Sequence, residues 1–239
     1  MPWPAPHAHR RRPIRRSVAV LGLLGLATAP AWAARPMVTD DARLVDPQAC
    51  QLETWRRVGP EGGESWALPA CNPAGGLELT LGGARQRGEG PATDAVLLQA
   101  KTLFRPLTPG DWGYGLAVGT VQRPGPADEF YAYLPFSRSF GLDELLLHAN
   151  LGLLHEGATR RERLSWGLGL EWAVAPRLGG IAEVFDQAAG RPMVQIGLRS
   201  WLLPGRLQLD ATAGERLGGE PRSRWLSLGL RLLTPPFLP

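Results

Sequence analysis

Large apolar side chains alternate with small or charged ones along residues 164–174, which read Leu-Ser-Trp-Gly-Leu-Gly-Leu-Glu-Trp-Ala-Val. A repeat of two residues places the two sets on opposite faces of one extended strand. The apolar face could cover the core of a soluble β-sandwich or meet lipid around an outer-membrane β-barrel. Trp166 and Trp172 lie near the two ends of the apolar stripe, which favours the barrel, because aromatic residues mark both membrane interfaces.

The same alternation recurs along the chain and predicts an all-β fold. Gly and Pro, with 30 and 23 copies, supply the turns that such a chain needs. Pro135 falls inside one of the predicted strands and there indicates a weaker strand or a bulge. The predicted strands are 51–58, 65–70, 76–85, 95–105, 112–122, 130–138, 144–155, 164–174, 177–186, 193–202, 207–214 and 224–232.

The lengths of the predicted connections distinguish the two architectures. An up-and-down membrane barrel has short periplasmic turns and longer outer loops, whereas a Greek-key sandwich needs long crossovers and predicts no such alternation. The sequence therefore predicts an up-and-down antiparallel transmembrane β-barrel of about 12 strands. Longer, charged connections follow odd-numbered strands at 59–64, 86–94, 123–129, 157–162, 187–191 and 215–222, and very short ones follow even-numbered strands at 72–75, 175–176 and 204–205.

The beginning of the chain resembles a secretory signal. Five arginines precede an apolar run at 17–28, and Ala31-Trp32-Ala33 supplies a small-x-small cleavage site. We expect export, cleavage after Ala33 and insertion into the outer membrane of a Gram-negative bacterium. The predicted division is a signal peptide at 1–33, an irregular N-terminal periplasmic segment at 34–47, the barrel at 48–233 and a C-terminal tail at 234–239.

Cleavage changes the charge of the protein. The full chain has 26 basic and 22 acidic residues, a net charge of +4. Residues 1–33 hold five Arg and no acid, so the remainder carries 21 minus 22, or −1. The basic character belongs to the leader and indicates no nucleic-acid partner. An uncleaved basic arm that binds nucleic acid is the alternative, but it does not explain the apolar run.

The two cysteines of the chain predict a disulfide bond. Cys50 and Cys71 are symmetric about the loop between the first two strands, since their numbers sum to 121. Residues with a constant sum lie opposite each other in an antiparallel hairpin. An exported protein permits a bridge, and the pair lacks the Cys-x-x-Cys spacing of redox enzymes.

Residues 35–55, Arg-Pro-Met-Val-Thr-Asp-Asp-Ala-Arg-Leu-Val-Asp-Pro-Gln-Ala-Cys-Gln-Leu-Glu-Thr-Trp, resemble the start of a family of outer-membrane proteins labelled "MetA-pathway of phenol degradation". The resemblance implies a barrel that takes up small aromatic compounds. The C-terminus departs from the usual pattern, because Leu238 and Pro239 follow the terminal aromatic Phe237 that barrel assembly machinery reads. The matching residues are Thr39, Asp40, Asp41, Gln51 and Glu53, with weaker similarity at 99–101 and Glu183.

Asp40 and Asp41 have two interpretations on the residues alone. They can form a cation site or a docking site. Alternatively, their side chains stabilise a turn by hydrogen bonds to the backbone.

Charged side chains occupy the small-polar face of six predicted strands. They can form a paired network that fills the barrel, or they can line a path for a solute. Twelve strands enclose more space than an eight-stranded barrel and less than a wide porin, so the strand count does not decide. The predicted lumen charges are Lys101, Glu171, Glu183, Arg199, Asp210 and Arg231.

An enzymatic function would have to use His148 or His155, the only histidines after the leader. His148, Asn150 and Ser165 face similarly on adjacent predicted strands, so a Ser-His-Asn hydrolase on the barrel is an alternative. No nucleophile motif surrounds Ser165, and the sequence contains no zinc, phosphate or nucleotide motif. We therefore expect no enzyme and no cofactor.

The sequence predicts a passive channel, or a binding protein, for a small solute, including aromatic compounds. The alternatives are a closed structural barrel, the hydrolase and a soluble periplasmic β-domain. Its expected partners are outer-membrane lipid, the barrel assembly machinery and the solute.

Overall fold

The computed structural model describes residues 37–88, 90–125, 128–187, 190–218 and 223–239. The predicted signal peptide at 1–33 lies outside these residues. Within them the chain forms twelve strands and no helix. The strands are β1 (Ala49–Gly59), β2 (Gly62–Asn72), β3 (Glu78–Arg87), β4 (Thr93–Arg105), β5 (Trp112–Gln122), β6 (Glu129–Phe140), β7 (Leu145–Glu156), β8 (Arg161–Ala175), β9 (Leu178–Asp186), β10 (Met193–Leu203), β11 (Leu207–Arg216) and β12 (Trp225–Leu233).

The strands form one closed barrel in which each strand pairs with its neighbours in sequence and β12 returns to pair with β1. Every pairing is antiparallel, which confirms the predicted up-and-down barrel. We call the end that holds the start of β1 and the end of β12 the proximal end. The connections after odd-numbered strands lie at the opposite, distal end.

The outer surface of the barrel is apolar. Leu168, Ile196 and Leu228 are 49%, 61% and 56% exposed, and their neighbours in sequence point into the barrel. This arrangement excludes a soluble domain with a leucine-filled core, because such a core would bury these side chains. A continuous apolar surface on a closed barrel is typical of one that is surrounded by lipid.

The connections differ less in length between the two ends than the sequence predicts. The loop expected at 59–64 is a two-residue turn at 60–61, because Gly59 and Gly62 still pair with each other. Gly62 has a φ of +128°, and a Cβ there would lie 2.1 Å from the carbonyl oxygen of Arg87. Only glycine fits this turn, which is why the two strands extend so far.

Pro135 does not produce the expected bulge. β6 continues through it, and the pairs Tyr114–Phe136 and Ala117–Tyr133 on either side keep the same register, since both sums are 250. The ladder between β5 and β6 has no pairs at Pro135, because proline has no N–H to donate. The proline thus interrupts the hydrogen bonds without shifting the strands.

The predicted disulfide is confirmed. Cys50 and Cys71 lie opposite each other in the hairpin of β1 and β2, and their sulfur atoms are 2.00 Å apart. Every residue pair of this hairpin sums to 121, from Ala49–Asn72 to Gly59–Gly62. The bridge closes the hairpin at the proximal end and contributes on the order of 3 kcal/mol in the chain-entropy model.

The residues before β1 are irregular, but they do not extend into the periplasm as expected. Residues 37–47, which we call the lumen segment, lie inside the barrel, with Met37, Ala42 and Val45 all buried. The backbone N–H groups of this segment bond to side chains on the inner face, so the barrel supplies partners that water would supply outside. After β12, residues 234–239 leave the barrel and bond back to Gln48.

The lipid-facing surface can be tested at Leu168, near the middle of β8. Replacing it with arginine should cost ~2–4 kcal/mol of unfolding free energy if the side chain meets the bilayer core. Urea unfolding in phospholipid vesicles measures the difference. Leu142→Arg is the matched control, because Leu142 is 79% exposed in the turn after β6. Equal stability of the two variants would show that Leu168 does not face lipid.

Candidate functional site

The lumen segment rises from the proximal end to the middle of the barrel and then turns back. Near β1, the Val45 N–H donates to Glu78 on β3 at 2.8 Å. At its highest point, Asn150 on β7 bonds to the backbone of Asp40, with its amide oriented to match, at 2.9 and 2.7 Å. The path then descends along β8, where Thr39 lies beside Gly167 and Met37 beside Gly169.

Lys101, the only lysine in the chain, holds the tip of this segment. Its Nζ lies 2.8 Å from an Asp40 carboxylate oxygen and 3.6 Å from Asp41, and the lysine is 1% exposed. The Tyr133 hydroxyl also donates to Asp40 at 2.8 Å. Asp41 also accepts the Arg43 N–H at 3.1 Å, a backbone bond of the kind that the turn interpretation expects. The two aspartates thus stabilise a local turn and contact Lys101 on β4.

Glu183 fixes the other arm of the segment. Its carboxylate accepts the consecutive N–H groups of Val38 and Thr39, at 2.7 and 2.8 Å, and an N–H from Gln195. Glu183 is 5% exposed, so these bonds replace the water that a carboxylate normally needs. These two hydrogen bonds join residues that are 145 and 144 positions apart in the sequence, and they hold the start of the segment against β9.

At the proximal end, a chain of polar groups leads from the segment to the wall. The Ala42 N–H donates to Ser137 Oγ at 2.9 Å, and Ser137 Oγ lies 2.7 Å from His148 Nδ1. His148 Nε2 lies 3.3 Å from Glu171. His148 therefore contacts neither Ser165 nor Asn150, and the Ser-His-Asn arrangement considered from the sequence does not form.

Three of the remaining predicted lumen charges pair with one another, and the fourth, Arg231, pairs with Glu53. Arg199 bonds to Glu171 at 2.6 Å and to Asp210 at 2.7 Å. Arg231 lies 3.4 Å from Glu53 and donates to Gln51 at 2.9 Å. All six predicted lumen charges lie on the inner face, and the five residues of the family resemblance lie inside the barrel with them, on β1 or in the lumen segment. They are Lys101, Glu171, Glu183, Arg199, Asp210 and Arg231, with Thr39, Asp40, Asp41, Gln51 and Glu53.

The proximal rim carries its own ion pairs around the entrance. Asp111 lies in the turn before β5, and the Trp112 N–H donates to it at 2.8 Å, as does Arg105 at 2.5 Å. The N–H of Trp112 and then Arg105 hold the pKa of the Asp111 carboxyl below its usual value. The Arg105 guanidinium also stacks over the Trp112 ring at 4.0 Å. Asp111 therefore stays ionised at neutral pH.

A cavity of about 90 Å³ lies inside the barrel on the distal side of the lumen segment. Thr39 and Asp40 form its floor, and side chains from β1–β4 and β6–β9 form its wall. Gln99 on β4 bridges the wall, because the Tyr131 hydroxyl donates to it at 2.9 Å and the Tyr133 hydroxyl lies 3.3 Å from it. This cavity is the candidate functional site.

Aromatic side chains on the inner face shape the cavity and the space above it. The rings of Tyr131 and Tyr133 stack at 6.1 Å, and those of Trp55 and Trp66 at 5.8 Å. The alternation along the sequence does not predict this apolar wall, because it places small and polar residues at the inward positions. The sequence gives one indication of it: β6 carries large residues on both of its faces. The repeat of two residues therefore does not tell which face of this strand points into the barrel. The inner apolar cluster comprises Trp55, Trp66, Leu68, Ala95, Leu97, Val121, Tyr131 and Leu154.

Two further features of the described residues concern metal binding and helices. No group of three or more His, Cys, Asp and Glu side chains in them is arranged to hold a metal ion. The same residues contain no helix that is long and apolar enough to cross a membrane.

The family described as "Uncharacterised conserved protein UCP029691" matches residues 21–233. Comparison with curated proteins gave no match. The matched residues include both the lumen segment and all twelve strands.

Solved structures of similar fold are outer-membrane porins and channels. The KdgM porin aligns at 9% identity with a TM-score of 0.59, over 76% of this chain and 98% of that one. The NanC porin aligns at 8% identity with a TM-score of 0.58, over 77% of this chain and 98% of that one. The COG4313 outer membrane channel from Pseudomonas putida F1 aligns at 10% identity with a TM-score of 0.52, over 78% of this chain and 95% of that one. At these identities the similarity establishes the fold.

The docking of the lumen segment can be tested at Lys101. Lys101→Met keeps the length of the side chain but leaves Asp40 and Asp41 without their cation, and removing one partner of a buried pair costs roughly 3–5 kcal/mol. Backbone amides of residues 37–47 should then exchange hydrogen much faster, as measured by mass spectrometry of the folded protein.

Arg85→Met is the matched control, because Arg85 pairs with Asp94 at 3.7 Å while both side chains are more than half exposed. Exchange in the lumen segment should not change in this variant. Unchanged exchange in Lys101→Met as well would show that the buried ion pair does not hold the segment.

Proposed function

The chain belongs to the family described as "Uncharacterised conserved protein UCP029691", and we propose that it is an outer-membrane channel for a small solute. The observation that carries the proposal is the cavity between the lumen segment and the distal mouth. A barrel that served only as a rigid body would gain stability by filling this space with side chains, since empty volume costs packing energy.

Three features support the membrane location that we propose. The outer surface is apolar, the fold is that of outer-membrane porins, and the leader at 1–33 has the pattern of an export signal. In this orientation the proximal end faces the periplasm and the connections after odd-numbered strands face outward. Outer-membrane lipid and the barrel assembly machinery are then the partners of the protein.

The size of the cavity limits what passes without rearrangement. A cavity of roughly 150 Å³ accommodates benzene, and a water molecule occupies about 30 Å³. The cavity here, at about 90 Å³, holds a smaller molecule. An aromatic solute, as the family resemblance implies, would therefore have to displace the lumen segment. We propose that the segment is the gate of the channel.

A closed barrel without transport is the second candidate. It is favoured by the many bonds that hold the segment, among them Lys101 with Asp40 and Glu183 with the N–H groups of Val38 and Thr39. On the proximal side, Ala42 also packs with Leu107 and Leu146, which seals the entrance around the segment. The two candidates differ in whether these contacts ever release.

Conductance in planar bilayers distinguishes the two candidates. The purified full-length barrel should give small, discrete conductance steps in potassium chloride. Lys101→Met should raise either the conductance or the fraction of time spent open, because the segment loses its central anchor. Arg85→Met, whose exposed pair lies at the distal mouth, should behave as the parent protein.

One outcome would contradict the channel, and another would contradict the gate. One is a bilayer that stays sealed with correctly folded parent and Lys101→Met proteins, which would favour the closed barrel. The other is an equal conductance of parent and Lys101→Met when hydrogen exchange shows that the segment has been released. That result would remove the segment as the gate.

A further inference from the structure

One row of the inner face carries uncharged hydrogen-bonding groups at the level of the cavity. In the register of the strands, Gln51 on β1 lies opposite Ala70 on β2, and Ala70 lies opposite Thr80 on β3. Thr80 in turn lies opposite Gln99 on β4. All four residues line the cavity, and the small side chain of Ala70 leaves room between its neighbours. The row therefore presents two amides and a hydroxyl to the same space.

Tyr131 holds the side chain of Gln99 in one orientation. A Cβ at Gly119 would lie 2.5 Å from the Tyr131 ring, so the glycine lets this ring lie across the row. The Tyr131 hydroxyl donates to Gln99 Oε1 at 2.9 Å, and the Tyr133 hydroxyl lies 3.3 Å from the same oxygen. The acceptor of this amide is thus occupied, and its NH2 group is the part left for a ligand.

Three donor groups of the row lack an acceptor within the part of the chain that the structure describes. They are the NH2 groups of Gln51 and Gln99 and the hydroxyl of Thr80, while Gln51 Oε1 already accepts from Arg231 at 2.9 Å. Gln51 and Thr80 are only 4% and 7% exposed. A buried donor without an acceptor costs stability, so these groups favour a ligand with an oxygen that accepts hydrogen bonds.

The carboxylates of the cavity wall, by contrast, already have partners. Asp40 lies 2.8 Å from Lys101, and Glu53 lies 3.4 Å from Arg231. Glu78 accepts a backbone N–H at 2.8 Å, and every carboxylate that lines the cavity has an interaction within the protein. An ion that enters would lose its hydration without finding an unpaired charge among these residues, whereas an uncharged solute has much less hydration to lose.

We propose that the lumen cavity binds small uncharged solutes that carry a carbonyl oxygen, such as short primary amides. A carbonyl oxygen has two lone pairs and can accept from two of the three donors at once. The volume of about 90 Å³ equals that of roughly three water molecules and admits a solute of a few heavy atoms. The inference rests on the channel function proposed above for its transport part only, since binding does not require conduction.

Acetamide, acetate and acetamidinium have the same shape and differ in charge, so their affinities test the proposal directly. The NMR signal of the methyl group that each carries reports binding to the folded, detergent-solubilised protein. We expect acetamide to bind at least about tenfold more tightly than either ion, because it does not have to lose the hydration of a charge. An affinity for either ion that equals that for acetamide, or binding of none of the three, overturns the proposal even if the protein conducts.

The hydroxyl of the row is tested by Thr80→Val, which keeps the shape of the side chain. Acetamide should bind roughly threefold to tenfold more weakly, which is the effect of losing one hydrogen bond. Thr93→Val is the matched control, because Thr93 is exposed at the start of β4, and it should bind acetamide as the parent does. Heat-modifiable migration in detergent gels establishes that each variant is folded before titration.

The amide of the row is tested by Gln99→Glu. The carboxylate keeps an acceptor for the tyrosine hydroxyls but replaces the NH2 donor with a second acceptor. The ratio of acetamide to acetamidinium affinity should fall at least about tenfold, because the cation gains a charge-assisted hydrogen bond. A purely structural role of Gln99 would leave this ratio unchanged. An unchanged ratio in the folded variant, together with unchanged acetamide binding in Thr80→Val, overturns the proposal.

Swelling of proteoliposomes in isosmotic urea separates binding from transport, since urea is a small uncharged amide. Vesicles that contain the parent protein should swell faster than protein-free vesicles, and those with Lys101→Met faster still. Tight binding of acetamide by a barrel that adds no swelling would keep the cavity as a binding site and overturn only the channel.

Discussion

The space enclosed by twelve closed strands is the constraint on which the rest of the structure depends. Strand number sets the width of a barrel, and twelve strands leave more room than their inward side chains fill. Many inward positions are glycine here, among them Gly167 and Gly169, where a Cβ would meet the lumen segment. The chain fills part of the lumen with residues 37–47 and leaves the rest as a cavity with an aromatic wall.

Filling a lumen with irregular backbone creates a problem of hydrogen bonding, because buried N–H groups need partners. Glu183, Glu78 and Ser137 supply these partners from three strands. Buried carboxylates in turn need cations, and Lys101 serves two of them. A lysine ammonium is a compact charge with three donors, which suits this position better than the planar arginine used everywhere else in the chain.

The features that the sequence predicts are those set by local spacing. Alternation with a period of two gives the outward face of strands such as β8, and the symmetric positions of Cys50 and Cys71 give the register of the first hairpin. The position of the lumen segment depends on bonds between residues about 145 positions apart, such as Val38 and Glu183, and no periodic pattern encodes them. The inward rings of β6 are missed because both faces of that strand are apolar.

The disulfide has a consequence for how the barrel closes. β1 pairs with β2 on one side and with β12 on the other, so this hairpin forms the seam where the last strand meets the first. Sliding β1 by one residue against β2 would turn Glu53 and Trp55 toward the outer face and Leu52 toward the lumen. The bond between Cys50 and Cys71 forbids that slippage. One covalent bond thus fixes which side chains of β1 and β2 turn inward together at this seam.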